Sequence, residues 1–169
     1  MTNRPDAAYW IDKLNLTSHV EGGAFREVYR SDLVIPRQSL PLFFQGDRAA
    51  STHIYFLLRR GQFSAFHRIA SDEGWHFYAG DPLFVYEITH NGRLVTHHLG
   101  ADPEKNTAFF SVVAAGSWFA SALAGGGDYG LVGCSVAPGF DFADFELADR
   151  ETLAAQFPEH AALIHRYTR

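Results

Sequence analysis

The sequence predicts an all-β sandwich or closed barrel, organised as a single domain spanning residues 1–169. Three observations carry that expectation. Eight or more short β-rich segments recur about every 8–12 residues, separated by Gly, Pro and Asn. A chain of 169 residues suits one domain and is short for two. The composition is 15% aromatic with 15 Phe, which suits a barrel interior or an oligomer interface.

In chain order, Asp6 is placed to cap a helix over residues 6–14, with Trp10, Ile11 and Leu14 on one stripe. Glu21-Gly22-Gly23 reads as a turn. Residues 24–29 then alternate as a strand, with Phe25, Glu27 and Tyr29 on one face and Arg26 and Val28 on the other. Pro36, Pro41 and Gly46 mark residues 33–48 as a long loop, which in a small domain crosses an open end or meets a partner. Residues 51–58 are β-rich and turn at Arg59-Arg60-Gly61 into residues 61–80, which read as a strand, a polar turn at Ser71-Asp72 and a second strand. Residues 83–89 and 93–99 form a hairpin around Asn91-Gly92, a strong two-residue turn signal. Strands follow over 108–113, 118–123 and 129–136. The tail changes period: 149–156 and 159–167 read as helices interrupted at Phe157-Pro158. Short helices are thus expected at both termini of the β domain.

Function is excluded more easily than assigned. The net charge is −5, and no basic cluster exceeds Arg59-Arg60, which argues against phosphate-neutralising nucleic-acid binding. Cys134 is the one cysteine, so neither a disulfide framework nor a thiolate metal site is expected; it reads as a packed core thiol. The N-terminal residues lack the apolar core of a signal peptide, and no apolar run reaches membrane-spanning length. A cytoplasmic protein is the expectation. Gly125-Gly126-Gly127 lacks the Lys-Ser/Thr of a phosphate loop, and the serine-hydrolase G-x-S-x-G is missing.

The chemistry concentrates in residues 61–80, GQFSAFHRIASDEGWHFYAG. With strict alternation, Phe63, Ala65 and His67 share a face of the first strand, and Glu73, Trp75 and Phe77 share a face of the second. An imidazole and a carboxylate then meet across a hairpin inside an aromatic wall. Such a burial is costly unless the two groups pair with each other, a metal or a ligand.

The spacing around these residues resembles the first cupin motif, G-x5-H-x-H-x3-E-x6-G, through Gly61, His67, Glu73 and Gly80, with Ile69 at the second histidine. The chain is similar in particular to the cupin 5 group, whose function is not established, through EGGAFREVYRS (21–31), FHRIASDEGWHFYAGDPL (66–83) and LVGCSVAPGFDFADFEL (131–147). The resemblance implies a cupin double-stranded β-helix, a jelly roll with a lumenal pocket. Cupin barrels often pair, so a homodimer is expected as well.

Many cupins hold a metal with two histidines and a glutamate from this motif and a histidine from a second. Here Ile69 and Phe119 occupy two of the four positions. A divalent metal would therefore need His67, Glu73 and a His76 turned inward by a bulge, and the default is no cofactor. Three readings of the pocket stand side by side. In the first, His67 is the base and Glu73 its orienter in an epimerase- or isomerase-like enzyme, by analogy with the sugar epimerases of the same barrel family, with Tyr78 or Tyr86 opposite as proton donor. Phe63, Trp75, His76, Phe77, Tyr78 and Trp118 would surround the substrate, and Arg26 would anchor an anionic one such as a nucleotide-sugar. The second is a non-catalytic ligand-binding cupin, and the third a metal-dependent oxygenase or isomerase.

Overall fold

In the computed structural model, which describes residues 4–169, two antiparallel sheets close around one lumen. Helix α1 (Ala7–Leu14) leads into the strand pair β1 (Thr17–Ser18) and β2 (Ala24–Arg30), and a small ribbon follows, β3 (Val34–Ile35) with β4 (Arg48–Ala49). The barrel strands are β5 (Thr52–Arg59), β6 (Phe63–Arg68), β7 (Asp72–Gly80), β8 (Leu83–Ile88), β9 (Leu94–Leu99), β10 (Phe110–Val113), β11 (Trp118–Leu123) and β12 (Tyr129–Ala137). A two-residue strand β13 (Glu146–Leu147) precedes α2 (Arg150–Gln156) and α3 (Ala161–Arg166).

One sheet runs β1-β2-β5-β12-β7-β10 and the other β13-β6-β11-β8-β9. From β5 to β8 the chain switches sheet at every step, as it does again from β9 to β12. This is the jelly-roll arrangement, and it corrects one expectation. β6 and β7 are not a hairpin. β6 pairs with β11 and β13, while β7 pairs with β12 and β10. His67 and Glu73 therefore project from opposite sheets. The Asn91-Gly92 turn does join a true hairpin, with Ile88 opposite Leu94. The 33–48 segment is partly ordered by the β3–β4 ribbon and by Phe44, which is fully buried.

Three apolar clusters organise the packing. Phe56, Trp75, Phe77, Val85, Leu99, Phe119 and Val132 fill one end of the lumen. α1 covers part of the outer face of the larger sheet, setting Trp10, Ile11 and Leu14 on Leu57, Tyr129 and Leu131. Asp6 caps this helix through Tyr9 N at 2.8 Å. α2 and α3 cover the outer face of the smaller sheet, setting Leu153, Phe157 and Ile164 against Phe66, Trp118 and Ala120. With both outer faces shielded in part and one end of the lumen packed, the open end is left for a pocket.

Three bulges interrupt the alternation of the strands, and those in β6 and β2 decide which side chains reach that pocket. Ser64 opposes Ser121 and His67 opposes Phe119, so β6 carries one residue more than β11 across this stretch. The extra residue reverses the parity of β6. His67 faces the lumen while Phe63 packs outside against the helical layer. In β2, Glu27 opposes Ile54 and Tyr29 opposes His53, so Val28 is the extra residue. Arg30, not Tyr29, then shares the inner face with Phe25 and Glu27. In β7, Phe77 opposes Val132 and Ala79 opposes Leu131, which leaves Tyr78 bulged outward.

Candidate functional site

At the open end lies a cavity of about 290 Å³. Its floor is polar: His19, Glu21, Thr52, His67, Glu73 and Cys134. Phe25, Ile54, Ile69, Val136, Phe140, Phe142 and Phe145 make the wall, and Glu27, Arg30 and Asp141 stand among the lining residues as further charges. The volume is at the lower end of small-molecule sites.

His67 is held at both nitrogens. Nε2 lies 2.8 Å from Oε2 of Glu21, and Nδ1 lies 2.7 Å from the carbonyl oxygen of Ala65. Two acceptors need two N–H donors, so the ring is an imidazolium and Glu21 its counter-ion. Burial opposes the charge on His67, but the charge and hydrogen bond of Glu21 outweigh it, and its pKa is raised. Glu21 is likewise opposed by burial, yet His67 holds it below the usual carboxylate range. The ring of Phe119 lies against the imidazole with centroids 4.1 Å apart.

Glu21 arrives from the turn between β1 and β2, and the two glycines after it let it do so. Gly22 and Gly23 have φ of 115° and 76°, which side chains rarely adopt. A Cβ on Gly22 would collide with the carbonyl oxygen of Phe63, and one on Gly23 would sit 2.8 Å from that of Leu57. The turn thus presses between β5 and β6, where Ala65 N–H bonds the Glu21 carbonyl at 2.8 Å.

Glu73 sits on the opposite wall without an arginine or lysine partner. Burial pushes its pKa up; His67 pulls it down and Glu21 pushes it up again, leaving it at about 7. Beside it, burial pushes the Cys134 thiol well above its ordinary value, so this cysteine is a neutral packed group rather than a nucleophile.

These geometries revise the expected site. His67 and Glu73 both line the cavity, but the partner that orients His67 is Glu21. With both nitrogens engaged, His67 has no lone pair to act as a base. Of the expected aromatic wall, Trp75 and Phe77 pack deeper in the lumen, while Phe63 and Trp118 belong to the outer cluster under α2 and α3. Tyr86 stacks on Tyr167 outside the barrel. His76 points outward, 2.8 Å from Ser135 Oγ and against Phe110, and Tyr78 is exposed beside His53. Arg26 reaches the Leu14 carbonyl at 3.2 Å on the outside, and Arg30 takes the inward position.

The metal reading fails on the same grounds. Ile69 and Phe119 are apolar, His76 is outside, and His67 is fully hydrogen-bonded. Among the described residues no group of three or more His, Cys, Asp or Glu side chains is arranged to hold a metal ion. The donor set does not fit the metal that the fold family often carries.

The residues that sequence reasoning missed are Glu21, His19, Arg30 and the aromatic segment 140–145. A carboxylate directly before two adjacent glycines was the one readable signal, because such a turn can press close to neighbouring backbone.

Residues 8–148 match the family model described as Cupin superfamily (DUF985). Among solved structures, a protein from Shewanella oneidensis is 41% identical over 98% of both chains, with a TM-score of 0.85. A hypothetical protein from Leishmania major is 33% identical over 97% of this chain and 99% of its own, with a TM-score of 0.89. Oxalate decarboxylase from Bacillus subtilis is 14% identical with a TM-score of 0.54, this chain matching 36% of its length, which is a likeness of fold. No curated protein matches the chain. Among the described residues, no helix is long and apolar enough to cross a membrane.

Proposed function

The chain belongs to the DUF985 family of the cupin superfamily, and we propose that it is a small-molecule enzyme of the epimerase or isomerase kind with Glu73 as its proton-transfer group. The observation behind this reading is a carboxyl held at about 7 on the wall of a 290 Å³ cavity, opposite a fixed imidazolium–carboxylate pair. A general acid–base group works best when its pKa is near the working pH. Glu73 meets that condition, and His67 with Glu21 supplies fixed charges beside it.

The charges around the cavity favour an uncharged ligand over the anionic metabolite that Arg26 suggested. His67 cancels Glu21. Arg30 donates twice to Glu27, at 2.9 and 2.7 Å, and again to the Phe140 carbonyl. Asp141 adds a negative charge, and no free cation among the described lining residues answers a phosphate.

Solvent-hydrogen exchange into small sugars and keto acids, followed by NMR in D2O, tests the reading. We expect wild-type protein to exchange a C–H hydrogen and Glu73→Gln to lose that activity. Undiminished exchange by Glu73→Gln would remove Glu73 from the mechanism. A compound that binds and raises the melting temperature without any exchange would favour the second reading, a ligand-binding cupin using the same cavity.

A further inference from the structure

The cavity has a second polar group with unused capacity, the imidazole of His19. Its Nδ1 accepts from the Glu21 backbone N–H at 3.3 Å, so in the neutral ring the proton sits on Nε2. The ring is clamped edge-on to Phe25 at 4.4 Å and stacked on Phe142 at 6.3 Å, with its side chain 8% exposed. Burial lowers its pKa, with Glu21 pushing back, so the ring stays neutral near pH 7. Nε2–H has no hydrogen-bond partner among the described residues, and His19 is one of the residues lining the cavity, so a ligand there that brings an acceptor can satisfy this donor.

Resting on the acid–base reading of Glu73, we propose that the substrate is a small uncharged α-hydroxy-carbonyl compound. Its carbonyl oxygen sits on His19 Nε2–H, and the hydrogen of its neighbouring carbon faces Glu73. The cavity has the space of about ten water molecules, which fits a short-chain compound. The Glu73 carboxylate takes the C–H proton, and that electron pair forms a carbon–carbon double bond. The carbonyl π pair moves to oxygen, and the resulting enediolate oxygen is held by the His19 N–H. Protonated Glu73 then gives its proton to the former carbonyl carbon, while the hydroxyl proton passes to the enediolate oxygen. Atoms and electrons balance with no other reactant. A single carboxyl removes and returns the proton on one face, which makes a hydrogen shift between adjacent carbons the outcome, not inversion at one carbon.

The test uses the full chain with glyceraldehyde and dihydroxyacetone as uncharged probes and pyruvate as an anionic one, followed by NMR in D2O. We expect the two trioses to interconvert with uptake of deuterium. His19→Leu should slow this by roughly 10²–10³, the usual effect of losing one oxyanion donor. His19→Gln, which keeps an N–H, should recover part of the rate. Independently of turnover, long-range 1H–15N correlation should find His19 neutral with its proton on Nε2 at pH 7. A proton on Nδ1, a charged ring, or full activity in His19→Leu overturns the role of His19. Exchange of pyruvate in preference to the trioses overturns the substrate class and leaves Glu73 standing. Exchange of none of the three overturns the substrate class, and Glu73 itself falls only if the wider sugar and keto-acid panel is silent too.

Discussion

The imidazole of His67 donates from Nε2 to Glu21 Oε2 at 2.8 Å, joining a strand of one sheet to a turn that belongs to the other. Both side chains are nearly inaccessible, at 4% and 8% exposure, so neither charge has water to fall back on. Removing one partner of such a pair leaves an uncompensated buried charge, which costs about 3–5 kcal/mol. Glu21→Gln should lose stability of that order in urea unfolding. In the variant, the pKa of His67 measured by NMR should fall, because the charge and hydrogen bond of Glu21 no longer oppose burial and Glu73 alone remains to do so. An unmoved titration of His67 would mean that Glu21 is not its counter-ion.

Arg48 and Asp144 form another deeply buried ion pair, with donor–acceptor distances of 2.7 and 2.6 Å and exposures of 4% and 5%. This pair ties β4 to the turn that contributes Asp141, Phe142 and Phe145 to the cavity wall. Arg48→Met alone, or Asp144→Leu alone, should cost about 3–5 kcal/mol. The double variant should cost less than either single one, because no unpaired charge remains. Additive losses in a double-mutant cycle would show that the pair contributes no coupling.

The architecture was legible in the sequence because its signals are local: the punctuation between strands, the Asn91-Gly92 turn and the change of period at residue 149. The site was legible only at His67 and Glu73. Bulges in β6, β2 and β7 each shift side-chain parity by one, and an extra residue leaves no mark in a pattern of alternating hydrophobics. Strict alternation therefore placed Phe63 on the inner face with His67, whereas the backbone turns it outward, and it grouped Tyr29 with Phe25 and Glu27, where Arg30 stands instead. Glu21 escaped notice because its partner His67 lies far along the chain, and spacing carries no information about contacts made across a closed barrel.

The outer face of the larger sheet is bare beyond α1. There His53, Tyr55, His76, Tyr78 and Phe110 gather their rings, with Val112 exposed beside them. The cluster itself holds no carboxylate, ammonium or guanidinium, so a second copy could meet it without like-charge repulsion. The expected homodimer is proposed to use this face. Sedimentation should then give twice the 18.8 kDa chain mass for wild type. Phe110→Asp, on an edge strand away from the cavity, should give the single-chain mass with unchanged circular dichroism. A wild-type protein that sediments as a single chain at high micromolar concentration would dispose of the dimer.

Glu73 also sets a pH dependence of stability with a definite sign. Its carboxyl titrates at about 7 in the folded protein, against 4.5 for an unperturbed glutamate. Between those values the folded state holds a proton that the unfolded chain releases, so stability falls as pH rises. The contribution is complete below pH 4.5, declines by about 1.4 kcal/mol per pH unit across the window, and is gone above the folded value. The whole effect is roughly 3 kcal/mol, an upper figure because water entering the cavity would soften it. Glu73→Gln cannot release that proton. Its stability relative to wild type should therefore rise from pH 5 to pH 8 by up to that amount, with the other titrating groups cancelling in the difference. Urea unfolding of both proteins at four pH values measures it. A difference that stays flat with pH would mean that Glu73 is already ionised in the folded barrel, and the acid–base role would lose its physical basis.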